Sequence, residues 1–175
     1  LDAAVGQVFG TLKELGVEKN TIVLFMSDNG GSRGTSMGPL KGGKGSLYEG
    51  GPRTPFLIHW PGSIPAGQVS HEIGVSSDLL PTLAKLCGGK LSGNKIDGLD
   101  LSDLFLNPDK AKSPHEGFAH KGKAYRLGKW KMVGKQLFDL EKDLGETHNL
   151  AKQYPEVLKK LNDKANEFFS KIEGE

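Results

Sequence analysis

Cysteine is nearly missing from this sequence, with Cys87 as the one thiol. A single cysteine excludes an internal disulfide framework and a cysteine-based zinc site, and it says nothing about redox compartment. Long apolar runs are missing as well. The longest, Ile22 to Met26, falls far short of the ~20 residues a bilayer requires, so no membrane span is expected. Nor is there an excess of one charge. Lysines and arginines number 23 against 21 acids, for a net charge of +2, and the signs are interleaved. No basic stripe with interleaved aromatics exists, so no nucleic-acid partner is expected. An initiator methionine and a signal peptide are also absent. Leu1 opens directly into a helical pattern, which reads as a fragment, either a processed piece or one chain of a divided protein.

What is present is a globular composition. Across 175 residues, 36% are hydrophobic and 25% charged, enough for one domain with a core or for two small subdomains. Glycine is the outlier at 25 residues, roughly twice average usage, and much of it clusters between Gly30 and Gly51. Val5, Val8, Phe9, Leu12 and Leu15 recur at helical spacing, with Gly16 as a C-terminal cap. Thr21 to Met26 is a continuous apolar, β-branched run, the pattern of a strand buried on both faces of a parallel sheet. Phe56 to Trp60 repeats it. Ser77 and Asp78 mark a helix start, followed by Leu79, Leu80, Leu83 and Leu86 and closed by Gly88-Gly89.

Character changes near Asp97. Tyr125–Leu127, Trp130–Val133 and Gln136–Leu140 are short strand-like runs separated by Gly128-Lys129 and Gly134-Lys135, which predicts a small antiparallel meander. Pro155 opens a last helix with Leu158, Leu161, Ala165, Phe168 and Ile172 on one stripe. The fold class expected is α/β, with residues 1–95 in an α/β layer and 96–175 as a meander packed on the C-terminal helix. No internal repeat or low-complexity segment is present.

Three segments offer chemistry. Ser27-Asp28-Asn29-Gly30 ends a buried strand, the sheet edge at which open α/β folds bind ligands. Its carboxylate and carboxamide are hard oxygen donors suited to Ca²⁺ or Mg²⁺, although from these residues alone a plain Asp-Asn-Gly turn that needs no metal is the better reading. Gly38-Pro39-Leu40-Lys41-Gly42-Gly43-Lys44-Gly45 approaches the phosphate-loop pattern. It fails where Gly45 replaces the Mg²⁺-binding hydroxyl, and Gly50, Gly51 and Pro52 interrupt the helix that should follow. An oxyanion loop of another kind survives, with backbone N–H groups and a mobile lysine. Glu49 and Arg53 flank a tight turn and read as a scaffold ion pair. Among the histidines, His59 reads as packed in a strand, and His71, His115 and His148 as solvent-facing. His120 precedes the meander. No two have metal-ligand spacing, which argues against zinc.

Taken together, the run SDNGG followed by GPLKGGKGSLYEGGPRTPFLIHWPGSIPAG resembles the second signature region of the formylglycine-dependent, arylsulfatase-like sulfatases of the alkaline phosphatase superfamily. The likeness continues in order through SSDLLPTLAKLCG, the Asp97-Gly98 turn, RLGKWK (Arg126 to Lys131) and LFDLEKDLGETHNL. The resemblance implies the C-terminal part of an alkaline-phosphatase-like α/β sandwich and hydrolysis of sulfate esters to alcohol and inorganic sulfate. It implies Ca²⁺ bound partly by Asp28 and Asn29, a sulfate-binding Lys44, and His120 as a substrate contact. Lys41, on the same loop but off the family position, serves as the reference for Lys44.

The resemblance also shows what this chain lacks. The family nucleophile sits in Cys-or-Ser-x-Pro-x-Arg, and neither Cys87 in LAKLCGGK nor Ser63 in SIPAG has the arginine. The partners implied are a sulfated small molecule or glycan and the N-terminal part of the same enzyme, in a periplasmic or secreted setting. Other readings remain open: a phosphatase or phosphodiesterase of the same superfamily, a non-catalytic anion- or carbohydrate-binding module, or a purely structural complement to another chain.

Overall fold

The computed structural model describes residues 1–32, 34–93 and 95–173. They form two compact units that do not follow chain order. One comprises Leu1–Phe25 with Phe56–His115, the other Met26–Pro55 with Glu116–Glu175.

In the first unit, helix α1 (Asp2–Glu14) ends where Gly16 takes φ 68°, the left-handed cap the sequence anticipates. Strands β1 (Val23–Met26) and β2 (Phe56–His59) pair as a two-stranded sheet. Both were expected to be buried on both faces, but Phe25, Met26, Phe56 and Leu57 are exposed. A two-stranded sheet lacks the layers that cover a wider one. Helix α2 (Leu79–Leu86) starts at Asp78 as expected.

Asp78 is completely buried, and its carboxylate accepts the N–H groups of Val75 and Leu99, each at 2.8 Å. It also meets His115 Nε2 at 2.7 Å. His115 is therefore not solvent-facing: its side chain is 14% exposed and serves a structural carboxylate. His59 differs in the other direction, half-exposed, edge-on to Phe9 and 3.7 Å from Glu18. The core of this unit gathers on Leu101, Leu104 and Phe105, the last two on the short helix α3 (Ser102–Leu106). Ile58, Ile64, Leu79 and Leu86 pack against them.

The second unit is built on a four-stranded antiparallel sheet in the order β3 (Gly117–His120), β4 (Ala124–Leu127), β5 (Trp130–Val133), β6 (Gln136–Asp139). Each of the last two hairpins closes in two residues, Leu127 facing Trp130 and Val133 facing Gln136. Gly128 and Gly134 open these turns with φ 55° and 57°, the positive value a tight hairpin requires at that place. The sequence reading missed β3, a strand of four residues, GFAH.

Strand alternation gives the sheet two working faces. Tyr125, Met132 and Leu137 align across three strands and pack on Leu161 and Ala165 of helix α4 (Pro155–Glu173). Ala124, Val133 and Phe138 face the other way, against Leu47 and Tyr48. The helix stripe follows the expected one at Leu158, Leu161 and Ala165 and departs from it near the C-terminal end. Phe168 is exposed while Phe169 packs on the core, and the side chain of Ile172 lies outside the described residues. No helix among the described residues is long and apolar enough to cross a membrane.

Candidate functional site

Every residue singled out for chemistry falls within the second unit. Asp28 and Asn29 follow β1 in a bend, Asp28 exposed and Asn29 half-buried. The bend is held by Ser27, whose hydroxyl donates to the Asn29 carbonyl at 2.9 Å. Asn29 Nδ2 donates to the Gly30 carbonyl at 2.9 Å. That bond uses the amide nitrogen, and among the described residues Asn29 Oδ1 accepts no hydrogen bond.

The glycines around this bend have a different purpose from the one the sequence suggests. A Cβ on Gly30 would fall on the carbonyl oxygen of Gly50, and one on Gly51 on that of Ser46. A Cβ on Gly43 would lie 2.7 Å from the Gly31 carbonyl oxygen. Three backbone segments thus lie against one another with no side chain between them. They are stitched together by Gly30 N–H to Gly51 O (2.9 Å), Gly50 N–H to Lys41 O (2.8 Å) and Lys44 N–H to Gly31 O (2.9 Å). The last of these bonds joins the loop carrying Lys44 to the strand end carrying Asp28 and Asn29. Lys44 is exposed and, among the described residues, forms no ion pair. It borders an open pocket with Gly31, Ser32, Thr35, Met37 and Gly43.

Lys41 behaves differently. Its ammonium lies 3.9 Å from the Tyr48 ring centroid and donates to the Glu146 carbonyl at 3.1 Å. It is a fastener of the loop and so cannot serve as an inert reference for Lys44. His120, at the end of β3, places Nε2 3.3 Å from the Ser46 carbonyl. Its neighbour Lys121 donates to the Gly45 carbonyl at 3.2 Å. Burial lowers the His120 pKa, and Lys121 and Lys131 reinforce that against the Ser46 carbonyl and Glu49. A neutral ring whose Nε2–H donates to Ser46 leaves Nδ1 as an acceptor.

Beneath the loop lies a charged cluster that the sequence reading did not assemble. Lys131 on β5, 3% exposed, reaches Glu49 Oε1 at 2.8 Å and Glu146 Oε1 at 3.1 Å. Glu146, fully buried, accepts the Glu49 N–H on Oε2 at 2.6 Å. Arg53 stands 3.5 Å from Glu49 Oε2, the scaffold pair anticipated, and Arg126 stands 4.0 Å away. Burial raises the Glu146 pKa, opposed by the Glu49 N–H and by Lys131. Strand alternation in WKMV puts Lys131 on the face of Val133, but nothing local marks it as the partner of Glu49.

Asp28 and Asn29 test as a partial cation site. They offer hard oxygen donors of the right chemistry, but Ca²⁺ takes 6–8 oxygens. Among the described residues no group of three or more His, Cys, Asp or Glu side chains converges on a metal position. The pair fits as one part of a donor set.

Comparison with known proteins bears on all of this. Residues 1–89 match the family model described as Sulfatase. The chain is 38% identical to arylsulfatase A of Homo sapiens over 92% of its own length and 40% of that protein's. It is 40% identical to N-acetylgalactosamine-6-sulfatase of Mus musculus, covering 75% of this chain and 27% of the relative. Among solved structures, Ps i-CgsB in complex with k-i-k-neocarrahexaose superposes with a TM-score of 0.82 at 35% identity. That match covers 95% of this chain and 40% of the other.

Proposed function

The chain belongs to the sulfatase family, and from that premise we propose that it supplies part of the active site of an enzyme hydrolysing sulfate esters to alcohol and inorganic sulfate. The observation carrying the proposal is the bond from Lys44 N–H to the Gly31 carbonyl, which sets an exposed lysine, without an ion pair among the described residues, beside the Asp28-Asn29 bend. The chain spans about 40% of the length of human arylsulfatase A, so the activity proposed is that of the whole protein.

In this reading Lys44 receives the sulfate group and stabilises the negative charge that builds near the departing oxygen. Asp28 and Asn29 hold a Ca²⁺ ion through the carboxylate and Oδ1, completed by ligands from outside this chain. When bound, that ion supplies Lewis-acid polarisation of the sulfate oxygens. His120, neutral and fixed by Ser46, presents Nδ1 to a hydroxyl of the alcohol portion. The substrate class is a sulfated small molecule or glycan, and a secreted or periplasmic setting fits such substrates. The formylglycine nucleophile and the leaving-group acid belong to the part of the enzyme this sequence does not contain.

The same reading assigns residues 1–95 to the end of the catalytic α/β domain and 96–175 to a C-terminal subdomain. That the meander and the β1–β2 pair form separate sheets supports this division, although the compact units cross it at residues 26–55. The test uses the full-length protein that contains this chain, assayed with matched aryl sulfate and aryl phosphate. Sulfate release should dominate and should fall with Asp28→Ala and on calcium chelation. Preferred cleavage of the phosphate would favour a phosphatase of the same superfamily and overturn the reading.

A further inference from the structure

The Glu49–Lys131–Glu146 cluster withdraws three ionisable side chains from water, none more than 4% exposed. Burying charge in this way is not a route to stability. Well-packed apolar side chains of the same size do as well or better, and removing one partner strands the other. Directional bonds are what such a cluster offers instead, and here they lead to the loop backbone. Glu146 receives the Glu49 N–H through its side chain and the Lys41 ammonium through its carbonyl. It holds both while its own backbone sits at φ 51°, a conformation uncommon for a residue with a side chain.

From Glu49 the bonds continue without a gap. Gly50 N–H returns to Lys41 O, Gly51 O accepts from Gly30, and Gly31 O accepts the N–H of Lys44. Lys131 enters from β5, whose other neighbours are fixed by the sheet, so the chain of contacts ends on a rigid element.

Resting on the sulfatase reading of Lys44, we propose that Glu49, Lys131 and Glu146 are positioning residues that set the Lys44 loop against the Asp28-Asn29 bend. They touch no substrate and act through Lys44.

A double-mutant cycle in the full-length enzyme tests this, reading kcat/KM on an aryl sulfate alongside Tm. Lys44→Ala should lower kcat/KM by about a hundredfold, the scale for one lost electrostatic donor. Glu146→Gln should lower it by about tenfold, the scale of coupling within one network. The double variant should be no worse than Lys44→Ala alone, because a displaced loop cannot misplace a side chain that is already gone. The Tm loss from Glu146→Gln should be the same in both backgrounds.

Lys41→Met removes a bond at the partly exposed end of the cluster and supplies a second cycle if Glu146→Gln does not fold. Multiplicative losses in the folded cycle would make the cluster a purely structural feature and overturn the proposal. A silent Lys44→Ala would instead overturn the sulfatase reading of Lys44, and the proposal with it.

Discussion

A methyl group at Gly30 would land on the carbonyl oxygen of Gly50, whereas one at Gly6 in α1 would meet nothing within 4 Å. The two glycines look alike in sequence and should respond in opposite directions. Gly30→Ala must push backbone away from backbone and should cost about 3 kcal/mol or more, at the top of the overpacking range. Gly6→Ala should stabilise by about 0.5–1 kcal/mol, because alanine loses less freedom on entering a helix. Denaturant midpoints of the two variants decide it, and similar shifts would show that the loop yields to the methyl group. The site residues divide in the same way. Asp28, Asn29 and Lys44 were singled out by residue type at a strand end and in a glycine loop, and their proposed roles come from the resemblance to the sulfatase signature region. Lys131 and Glu146 were not, since a lone lysine in a strand and a glutamate 15 residues later give no local sign of meeting Glu49.

At the scale of the element, α4 keeps Leu158, Leu161 and Ala165 on the expected stripe but packs Phe169 rather than Phe168 on the core. Leu161 is fully buried against Tyr125, Met132 and Leu137, while Phe168 is 42% exposed. Leu161→Ala should therefore cost about 2–5 kcal/mol, and Phe168→Ala less than about 1 kcal/mol. Thermal melts giving the larger loss at Phe168 would show that Phe168 packs on the core after all, as the sequence pattern expected. The loop after β6 makes a pH prediction. Asp143 accepts the N–H and hydroxyl of Thr147 and the N–H of His148 at 2.7–2.9 Å. Desolvation pushes its pKa up, but those donors outweigh it and hold the carboxyl below its ordinary 3.8. A depressed folded pKa contributes stability that is present above the unfolded value and is lost as pH falls through the folded one. Asp143→Asn should lower Tm at pH 7, and the gap should close as the pH falls below 3.8. A gap that is independent of pH would assign the effect to shape rather than charge.

For the whole molecule, the absence of any Cys-or-Ser-x-Pro-x-Arg motif from the sequence leads to a plain expectation. This purified chain, without a partner, should show no turnover of an aryl sulfate, and measurable turnover would mean that a nucleophile has been overlooked. The sequence by itself determined most of the elements: the long helices from apolar spacing and the last two hairpins from Gly128 and Gly134. These are local properties, written in the types and spacing of neighbouring residues. Only the tertiary structure decided that residues 26–55 join 116–175 in one compact unit. It alone decided that the glycines serve backbone contact, that His115 is tied to a buried carboxylate, and that Lys41 is a fastener. These outcomes depend on groups up to 105 residues apart along the chain, and no local pattern specifies which carbonyl or carboxylate a side chain will meet.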